Sequence, residues 1–403
     1  MRVRPAVAAM VAVLIGCGVL GVVGLGVEDK LDPLSLTIDG TGSARGEQLA
    51  TEHFGDATQF AVLLTGPQAQ IERQGPPLVR ALRHTPKATV ISPWDRGTVA
   101  ALRPGADKAL IIVDYHVPLA TAMRETVPAL DRLVEEEVRP PLTATQSGFA
   151  SVSRGLQEET IHATERAELL AAPLLLIVLL LVFRSFAAAA IPLAFGALTV
   201  LAGRGVLALL SSLMTIDAIS LVVCTMMGLA LGVDYSLLIV SRFREELSAG
   251  RDPYEAATRA RATAGRTTLF AGATLLAALG LSAFVQPGSL LLSLATTVGV
   301  AAILSVLVAV AGLPGLLALL GTRVNAGAVG RTSRRSGQRS WVAAAASRAL
   351  ARPAVAAILI TVPLIVLAAP ALALTTAAPG VDELPTSNEA RQNAETIEEA
   401  VGP

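Results

Sequence analysis

The chain has 403 residues, of which 53% are apolar and 16% are charged, and its mean hydropathy is +0.60. Soluble domains carry about 25% charged residues, so this composition indicates a membrane protein rather than a soluble domain. The formal net charge is zero, which argues against a nucleic-acid partner. Both cysteines, Cys17 and Cys224, fall inside apolar runs, and this pattern predicts neither a disulfide framework nor a metal site.

Seven apolar stretches are long enough to cross a bilayer, which takes about 20 residues. The first follows Arg2 and Arg4 but is too long for the core of a signal peptide, so we predict a retained anchor. Pro314 is expected to end or kink the sixth stretch. The predicted spans cover about 6–26, 167–183, 186–210, 216–240, 267–286, 289–320 and 353–375.

The charges of the connecting loops predict the orientation of these spans. Segment 321–352 has no acidic residue and contains Arg323, Arg331, Arg334, Arg335, Arg339, Arg348 and Arg352. We therefore expect this loop to be cytoplasmic, together with the Arg-rich loop 241–266 and the short turn at Arg184. Counting spans outward then places the N-terminus inside the cell, and both segment 27–166 and the tail 376–403 outside.

Segment 27–166 has the pattern of an external α/β module. Strands are predicted near 60–65, 88–92, 109–116 and 142–147, with helices over about 67–84 and 119–137. This β-α-β-β-α-β order is the ferredoxin-like one, which fixes architecture but not function. The chain's four histidines, His53, His84, His116 and His162, all lie in this segment without the spacing of metal ligands.

One acidic residue, Asp234, lies deep in the fourth span. From Leu221 to Val240 the ionisable side chains are those of Cys224, Asp234 and Tyr235. A charged carboxylate costs roughly 2.5–3.5 kcal/mol at the centre of a membrane helix, so a chain that keeps one usually uses it. We expect Asp234 to be buried among apolar helices and to load and release a proton, with Tyr235 donating a hydrogen bond to it. The alternative is an Asp that a neighbouring helix holds for packing.

Small residues surround this position on the same helix. Gly228 and Gly232 form a small-xxx-small pair that permits close approach of another helix, and Tyr235 and Ser236 share the face of Gly232. Asp234 points about 100° away around a 3.6-residue turn. We expect the partner helix at this glycine face to come from a second half outside this chain; a purely structural glycine seam is the alternative.

Two further features concern charged residues at the span ends. Arg204 lies within the third span, where it must snorkel, pair with a neighbour or mark an early end of the span, and a structural role is favoured. Arg242 and Arg244 follow the fourth span as cytoplasmic anchors. The capping box 252–255 then begins a helix that Gly265 is expected to end after about twelve residues. It is either an amphipathic helix at the inner membrane face or a plain connector.

The sequence Gly-Leu-Ala-Leu-Gly-Val-Asp-Tyr-Ser over 228–236, followed by Arg-Phe-Arg-Glu-Glu over 242–246, resembles the MMPL family of the resistance-nodulation-division superfamily. The resemblance covers the whole chain and implies proton-driven export of lipids or other hydrophobic compounds across a bacterial inner membrane. The family's intramembrane Asp-Tyr pair carries over onto Asp234 and Tyr235. The implied fold is a mainly α membrane protein of seven transmembrane helices, with an external ferredoxin-like porter-type domain between the first two.

Members of this family normally contain two such halves in tandem, and the chain resembles the first. Ala44-Arg45 opens a helix-like stretch reaching Gly55, and Ala390-Arg391 opens another reaching Gly402, so a second repeat is predicted to begin in the tail. A second half or an oligomer is the expected partner. The predicted organisation is a first helix 1–26, a porter-like domain 27–166, a helical core 167–320, a basic loop 321–352, a seventh helix 353–375 and the tail 376–403.

The predicted function is therefore a proton-coupled exporter or half-exporter, whose partners are membrane lipids, protons and a hydrophobic or lipid substrate. The alternative is a non-transporting membrane module, such as a lipid sensor or an assembly subunit, built on the same scaffold. An intramembrane enzyme fares worst, because the sequence has no nucleophile elbow, no zinc-protease motif and no Walker A lysine. No cofactor and no metal are predicted.

Overall fold

The computed structural model describes residues 4–31, 42–54, 57–97, 102–285, 289–327, 347, 349–373 and 380–402. It divides the chain into two compact units, one formed by Met1–Val329 with Val381–Pro403 and the other by Gly330–Gly380. Most of the predicted cytoplasmic loop falls outside the described residues, including Arg331, Arg334, Arg335, Arg339 and Arg348.

Between the first and second long helices the chain forms a four-stranded sheet, which we call the sheet module. Its described elements are α2 (Gly42–Phe54), β1 (Thr58–Thr65), α3 (Gln68–His84), β2 (Ala88–Ile91), β3 (Lys108–Tyr115), a short α4 (Leu119–Thr121), α5 (Val127–Glu137) and β4 (Thr143–Gly148). The strands lie in the order β2-β3-β1-β4, and each adjacent pair is antiparallel. Val62 of β1 pairs with Ile111 of β3 on one side and with Gln146 of β4 on the other.

The alternation of side chains along β1 gives the sheet two apolar faces. Phe60, Val62 and Leu64 are fully buried and pack in one cluster with side chains of α3 and α5. Leu63 points to the other face, where it joins Leu102 and Leu110. Phe60 also makes an edge-to-face contact with Tyr115, with ring centroids 5.7 Å apart. The sheet therefore needs a covering element on each face.

The second face is covered from the far end of the sequence. Helix α13 (Glu389–Val401) packs on it through Ile397 and Ala400. A Cβ atom at Gly155 would lie 2.9 Å from the Cβ of Ala390, so this glycine allows α13 to approach the start of the next helix, α6 (Phe149–Phe183). Helix α2, which the sequence analysis predicts to match the tail as the start of a repeat, has the same length of 13 residues as α13.

The sheet module continues into the membrane helices without a loop. Strand β4 ends at Gly148, and α6 runs from Phe149 to Phe183 as one helix of 35 residues. At 1.5 Å per residue its length is about 52 Å, which exceeds the roughly 30 Å hydrocarbon core of a bilayer. The predicted boundary at residue 166 falls inside this helix, because the chain changes there from polar to apolar without any helix-breaking residue.

Seven described helices are long and apolar enough to span a membrane. Their ranges are Pro5–Val23, Phe149–Phe183, Phe186–Leu210, Ile219–Ser248, Pro253–Ser282, Leu290–Asn325 and Pro353–Leu372. As secondary-structure elements they are α1 (Arg4–Val23), α6, α7 (Phe186–Leu210), α8 (Ile219–Ser248), α9 (Pro253–Val285), α10 (Ser289–Leu307) with α11 (Leu313–Leu320), and α12 (Pro353–Ala368). The protein is therefore mostly helical, and the predicted number of spans agrees with the structure.

The sixth span does not end at Pro314, because the helix continues to Asn325. A π-helical turn over Val308–Gly312 separates α10 from α11, and Pro314 lies in the first turn of α11. Proline lacks an N–H group and cannot continue the hydrogen-bond ladder of the preceding helix, so the tighter ladder is broken one turn earlier.

The expectation that Gly265 ends a short helix is wrong. Helix α9 begins at Pro253 and continues through Gly265 to Val285. Asp252 caps its start as predicted, since the Tyr254 N–H donates to the Asp252 carboxylate at 3.1 Å. A Cβ at Gly265 would reach only ordinary contacts with Arg261 and Val310. Packing against α10 and α11 outweighs the roughly 1 kcal/mol by which a glycine weakens a helix interior, so the segment is part of a span and not a separate surface helix.

The second unit contributes helix α12, described by itself. Its sequence is apolar throughout, and none of its residues is buried within the structure. A helix that is apolar on every side requires lipid or protein around it.

Candidate functional site

Helix α8 carries the predicted site, and a close crossing with α7 fixes its position. A Cβ at Gly232 would lie 2.7 Å from the Gly196 Cα and 3.1 Å from the Thr199 hydroxyl, so only glycine fits there. A Cβ at Gly228 would lie 3.2 Å from the Val200 side chain. The glycine seam is therefore filled by α7 of the same half. The expectation that a helix from a second half fills it is wrong, because Gly196 provides a complementary small surface within this chain.

Asp234 lies on the opposite, outer side of α8. Its side chain is exposed, in a stripe at four-residue spacing with the exposed residues Met226, Ala230 and Leu238. No hydrogen bond or ion pair joins Asp234 to any described residue. The expected burial of Asp234 among helices of this chain is thus contradicted: the 100° step per residue directs it outward once Gly232 faces α7. The carboxylate occupies a face of α8 that no described residue of the chain covers.

Tyr235 and Ser236 face the interior of the helical bundle. Tyr235 is 7% exposed and packs in the main core cluster with Val233 and Ile239, while Ser236 is fully buried. The Tyr235 hydroxyl makes no hydrogen bond to the Asp234 carboxylate. The two members of the predicted pair are therefore adjacent in sequence but point in different directions, so that one reaches the interior and the other the open face.

The end of the bundle nearer the sheet module, which we call the sheet-side end, contains two polar contacts. Arg204 pairs with Glu28, with 2.7 Å between guanidinium nitrogen and carboxylate oxygen. A Cβ at Gly24 would lie 2.7 Å from the Gly205 nitrogen, so α1 and α7 approach closely beside this pair. Of the three roles considered for Arg204, pairing with a neighbour is the one observed, and the pair links α7 to the segment that follows α1.

A second contact at this end was missed by the sequence analysis. Asp217 and Ser220 are fully buried at the start of α8, and Ser293 is fully buried on α10. The Ser293 hydroxyl accepts from the Asp217 backbone N–H at 3.0 Å and lies 2.7 Å from the Ser220 hydroxyl. Asp217 precedes Asp234 by 17 positions, or about 26 Å along a helix, so the two acids do not form a pair. Ser293, a polar residue inside an apolar run, was the sequence feature that could have indicated this contact.

The opposite end of α8 contains an ion-pair cluster. Glu246 is 5% exposed and its two carboxylate oxygens contact Arg242 at 2.8 Å and Arg251 at 2.5 Å. Arg242 also pairs with Glu245 at 2.8 Å. Each guanidinium places a positive charge beside the Glu246 carboxylate, and this attraction offsets the cost of desolvating it. Arg242, a predicted anchor, is thus held by carboxylates at the α8–α9 connection.

The other predicted anchor, Arg244, binds within the protein. Its guanidinium donates to the Phe183 carbonyl and to the Asn325 side-chain oxygen, each at 2.8 Å, and stacks 5.5 Å from the centre of the Phe183 ring. The Arg244 guanidinium is therefore partly shielded from solvent. Its contacts join α8 to the end of α6 and to the turn that follows α11. Arg244 therefore links helices to one another, whereas the ion pairs of Arg242 lie within α8.

The histidines and cysteines do not assemble into a site. In the described parts of the chain, no cluster of three or more His, Cys, Asp or Glu side chains could hold a metal ion. Cys17 and Cys224 are free thiols, and both are buried.

The sequence matches the MMPL family over residues 40–377. The chain is 34% identical over 268 residues to the mycolic acid-containing lipids exporter MmpL11 of Mycolicibacterium smegmatis, a match covering 64% of this chain and 27% of that protein. It is also 34% identical over 260 residues to the heme uptake protein MmpL11 of Mycobacterium tuberculosis, covering 64% and 27%. Identity with the trehalose monomycolate exporter MmpL3 of Mycolicibacterium smegmatis is 35% over 162 residues, covering 40% and 16%. The matched regions span about a quarter or less of these relatives. The chain belongs to the MMPL family of membrane transporters.

Proposed function

We propose that the chain is a proton-motive-force-driven exporter, or one half of an exporter, of lipids or other hydrophobic compounds at a bacterial inner membrane. The observation that carries this proposal is the position of Asp234, a single acid in an exposed apolar stripe in the middle of a spanning helix. Two relatives named as lipid exporters support the substrate class.

The open face around Asp234 suggests how protonation is coupled to movement. A neutral carboxyl group tolerates an apolar surrounding, whereas an ionised one requires hydrogen-bond donors or a cation. A partner helix that supplies such donors binds the face more tightly when Asp234 is ionised. Proton loading then weakens helix association and proton release strengthens it, so each cycle of Asp234 can open and close the contact with the second half.

Tyr235 is the second residue of the proposed relay. It follows Asp234 directly and faces the bundle interior. In the proposed relay its hydroxyl passes a proton between the open face and the core. In this proposal Gly228, Gly232 and Ser236 hold α8 against α7, and Arg242 and Arg244 hold its far end.

The same proposal orients the protein in the membrane. The Arg-rich segments lie inside the cell and the sheet module lies outside, as a ferredoxin-like porter-type domain through which the substrate leaves. The antiparallel strand order β2-β3-β1-β4, with helices between β1 and β2 and between β3 and β4, supports this assignment of the module. The tail from 376 is proposed to begin a second repeat.

A second candidate is uptake rather than export. The relative named as a heme uptake protein matches this chain with the same 34% identity as the relative named as a lipids exporter. The two candidates share the proton relay and differ in the direction in which a hydrophobic molecule moves.

The deciding experiment uses proteoliposomes containing the purified chain, alone and with a second half, under an imposed pH gradient. Asp234→Asn should abolish proton-coupled movement of a fluorescent lipid while the protein remains folded and inserted, since asparagine keeps the shape and cannot titrate. Leu238→Asn, on the same stripe, is the matched control for adding an amide and should retain transport. Full activity of Asp234→Asn would make the carboxylate structural; absence of transport by every wild-type preparation would favour the non-transporting module.

A further inference from the structure

The sheet-side end of the bundle holds one cation between two carboxylates. The Arg204 guanidinium of α7 pairs with the Glu28 carboxylate at 2.7 Å. Glu168 of α6 carries the second carboxylate, and the charges that act on it are those of Arg204 and of Glu165 on its own helix. Glu28 lies in the turn after α1, so the two carboxylates belong to different elements. Arg204 can therefore connect α7 to either of two neighbours.

Helix geometry places Glu168 and Arg204 near one level of the bundle. Helices α6 and α7 form an antiparallel hairpin that turns at Arg184. Glu168 lies 16 residues before Arg184 and Arg204 lies 20 residues after it, which correspond to about 24 Å and about 30 Å along the two helices. The difference is about one helical turn, which the long arginine side chain can span.

The Glu168 carboxylate is the member of this group that lacks a hydrogen-bond donor. Its Oε1 atom is buried and accepts no hydrogen bond from any described residue. Glu165, on the same helix, lies by contrast 3.5 Å from a ring nitrogen of His162. An ionised oxygen buried without a donor is costly, whereas a neutral carboxyl group tolerates burial much better. The described arrangement, with Arg204 on Glu28, is therefore the one expected when Glu168 carries a proton.

We propose that Glu168 is a second proton-binding residue, and that Arg204 exchanges between the carboxylates of Glu28 and Glu168 as Glu168 gains and loses its proton. When Glu168 is neutral, Arg204 pairs with Glu28. When water removes the proton, the ionised Glu168 attracts the guanidinium, because a buried carboxylate needs a cation beside it. The guanidinium keeps its own protons throughout, so only the proton of Glu168 is exchanged with water.

This exchange rests on the proposed function, in which protons drive the movement of helices. In one state Arg204 links α7 to the segment after α1, and in the other it links α7 to α6, the helix that continues from the sheet module. A Cβ at Gly203 would lie 2.6 Å from the Cys224 sulfur, and Cys224 is 10 positions, or about 15 Å along α8, from Asp234. Glu168 thus binds its proton apart from Asp234, at the end of the bundle where the module attaches.

The first test measures stability and does not require transport. Glu28→Gln, Glu168→Gln and the double variant are compared by their thermal midpoints in detergent. At alkaline pH each single variant leaves Arg204 one ionised partner and the double variant leaves none. We therefore expect the midpoint of the double variant to fall by at least twice the sum of the two single falls. As pH is lowered Glu168 becomes neutral, and Glu28→Gln alone should then match the double variant. Additive effects at every pH would overturn the exchange.

A matched control and a single-variant measurement accompany this cycle. Glu165→Gln removes a carboxylate from the same helix and should combine additively with Glu28→Gln at every pH. If the double variant does not fold, Glu28→Gln alone decides: its loss of midpoint relative to the wild type should grow as pH falls. A loss that stays constant with pH would overturn the exchange.

The second test separates the exchange from the proposed function. In proteoliposomes, Glu168→Gln should shift the dependence of proton flux on the pH of the sheet-module side by at least about one pH unit, because it removes a group whose titration controls the flux. Glu168→Asp keeps a titrating carboxylate and should retain the wild-type profile. A wild-type profile in Glu168→Gln, with Asp234→Asn inactive, would overturn the exchange and leave the proposed function intact. If no preparation moves protons, the proposed function fails and the stability cycle still decides the exchange.

Discussion

The crossing of α7 and α8 allows a sharp prediction about Gly232. Gly232→Ala would place a Cβ 2.7 Å from the Gly196 Cα and 3.1 Å from the Thr199 hydroxyl. Carbon atoms pack at about 3.5–4.0 Å, so the two backbones must separate by about 1 Å. Such overpacking costs about 1–3 kcal/mol, because backbone atoms cannot rotate away as a side chain can.

A matched substitution removes the intrinsic effect of alanine. Gly280→Ala on α9 meets no atom within 4 Å and should stabilise the protein by up to about 1 kcal/mol through helix propensity alone. The difference between the two variants therefore isolates the clash. We expect the thermal midpoint of Gly232→Ala in detergent to fall below that of Gly280→Ala by several degrees, followed by loss of monodisperse protein in size-exclusion chromatography. Identical midpoints would mean that α7 does not lie against Gly232.

Three further predictions concern orientation, the ion-pair cluster and the sheet module. Cysteines introduced between Arg331 and Arg339 should be labelled by an impermeant maleimide only from the cytoplasmic side, and Gln68→Cys only from outside; the reverse pattern would contradict the proposed topology. Glu246→Gln should destabilise the protein by about 2–3 kcal/mol, because two guanidinium groups lose their buried partner, whereas Glu245→Gln, at an exposed pair, should cost less than about 1 kcal/mol in the same denaturation assay. Burial raises the pKa of Asp131, against a 2.7 Å hydrogen bond from Gln146 that lowers it, so the folded protein favours the neutral acid. Its contribution to stability is present below the ordinary pKa of 3.8 and is lost as pH rises through the higher folded value; Asp131→Asn should flatten this part of the stability–pH curve, and an unchanged curve would exclude the residue as its source.

The elements that the sequence predicted well are those with strong one-dimensional signals. Short apolar runs identified β1 and β3, and long uninterrupted apolar runs identified the spans, because burial by lipid or by a sheet imposes a pattern on consecutive residues. The π-helical turn before Pro314 is consistent with the missing N–H group of proline, but the span continues to Asn325 instead of ending there. The expected angle of about 100° between Asp234 and the face of Gly232 was too small, because two positions along one helix turn the side chain by about 200°, which leaves the two about 160° apart.

The neighbours of each helix face could not be deduced in the same way. Periodicity relates Asp234 to Gly232 but does not reveal which side of α8 meets α7, so the acid was expected inside and lies on the open face. The clue was present in α7, where Gly196, Thr199 and Gly203 form a second row of small residues. The prediction that Gly265 ends a helix failed for a different reason. The tendency of a glycine to weaken a helix is small compared with the packing of α9 against α8, α10 and α11.

Helix α6 has a mechanical consequence, because it belongs to both the sheet module and the bundle. A flexible connection would let the module turn while the membrane helix stayed still, but an unbroken helix of 35 residues acts as a stiff lever. The one proline inside α6, Pro173, removes a hydrogen bond and is where bending is easiest. Its outer arm, from Phe149 to Pro173, is about 36 Å long, so a tilt of about 10° at the proline would displace the base of the sheet by about 6 Å. A small tilt of α6 at Pro173 would therefore move the sheet module by several ångström.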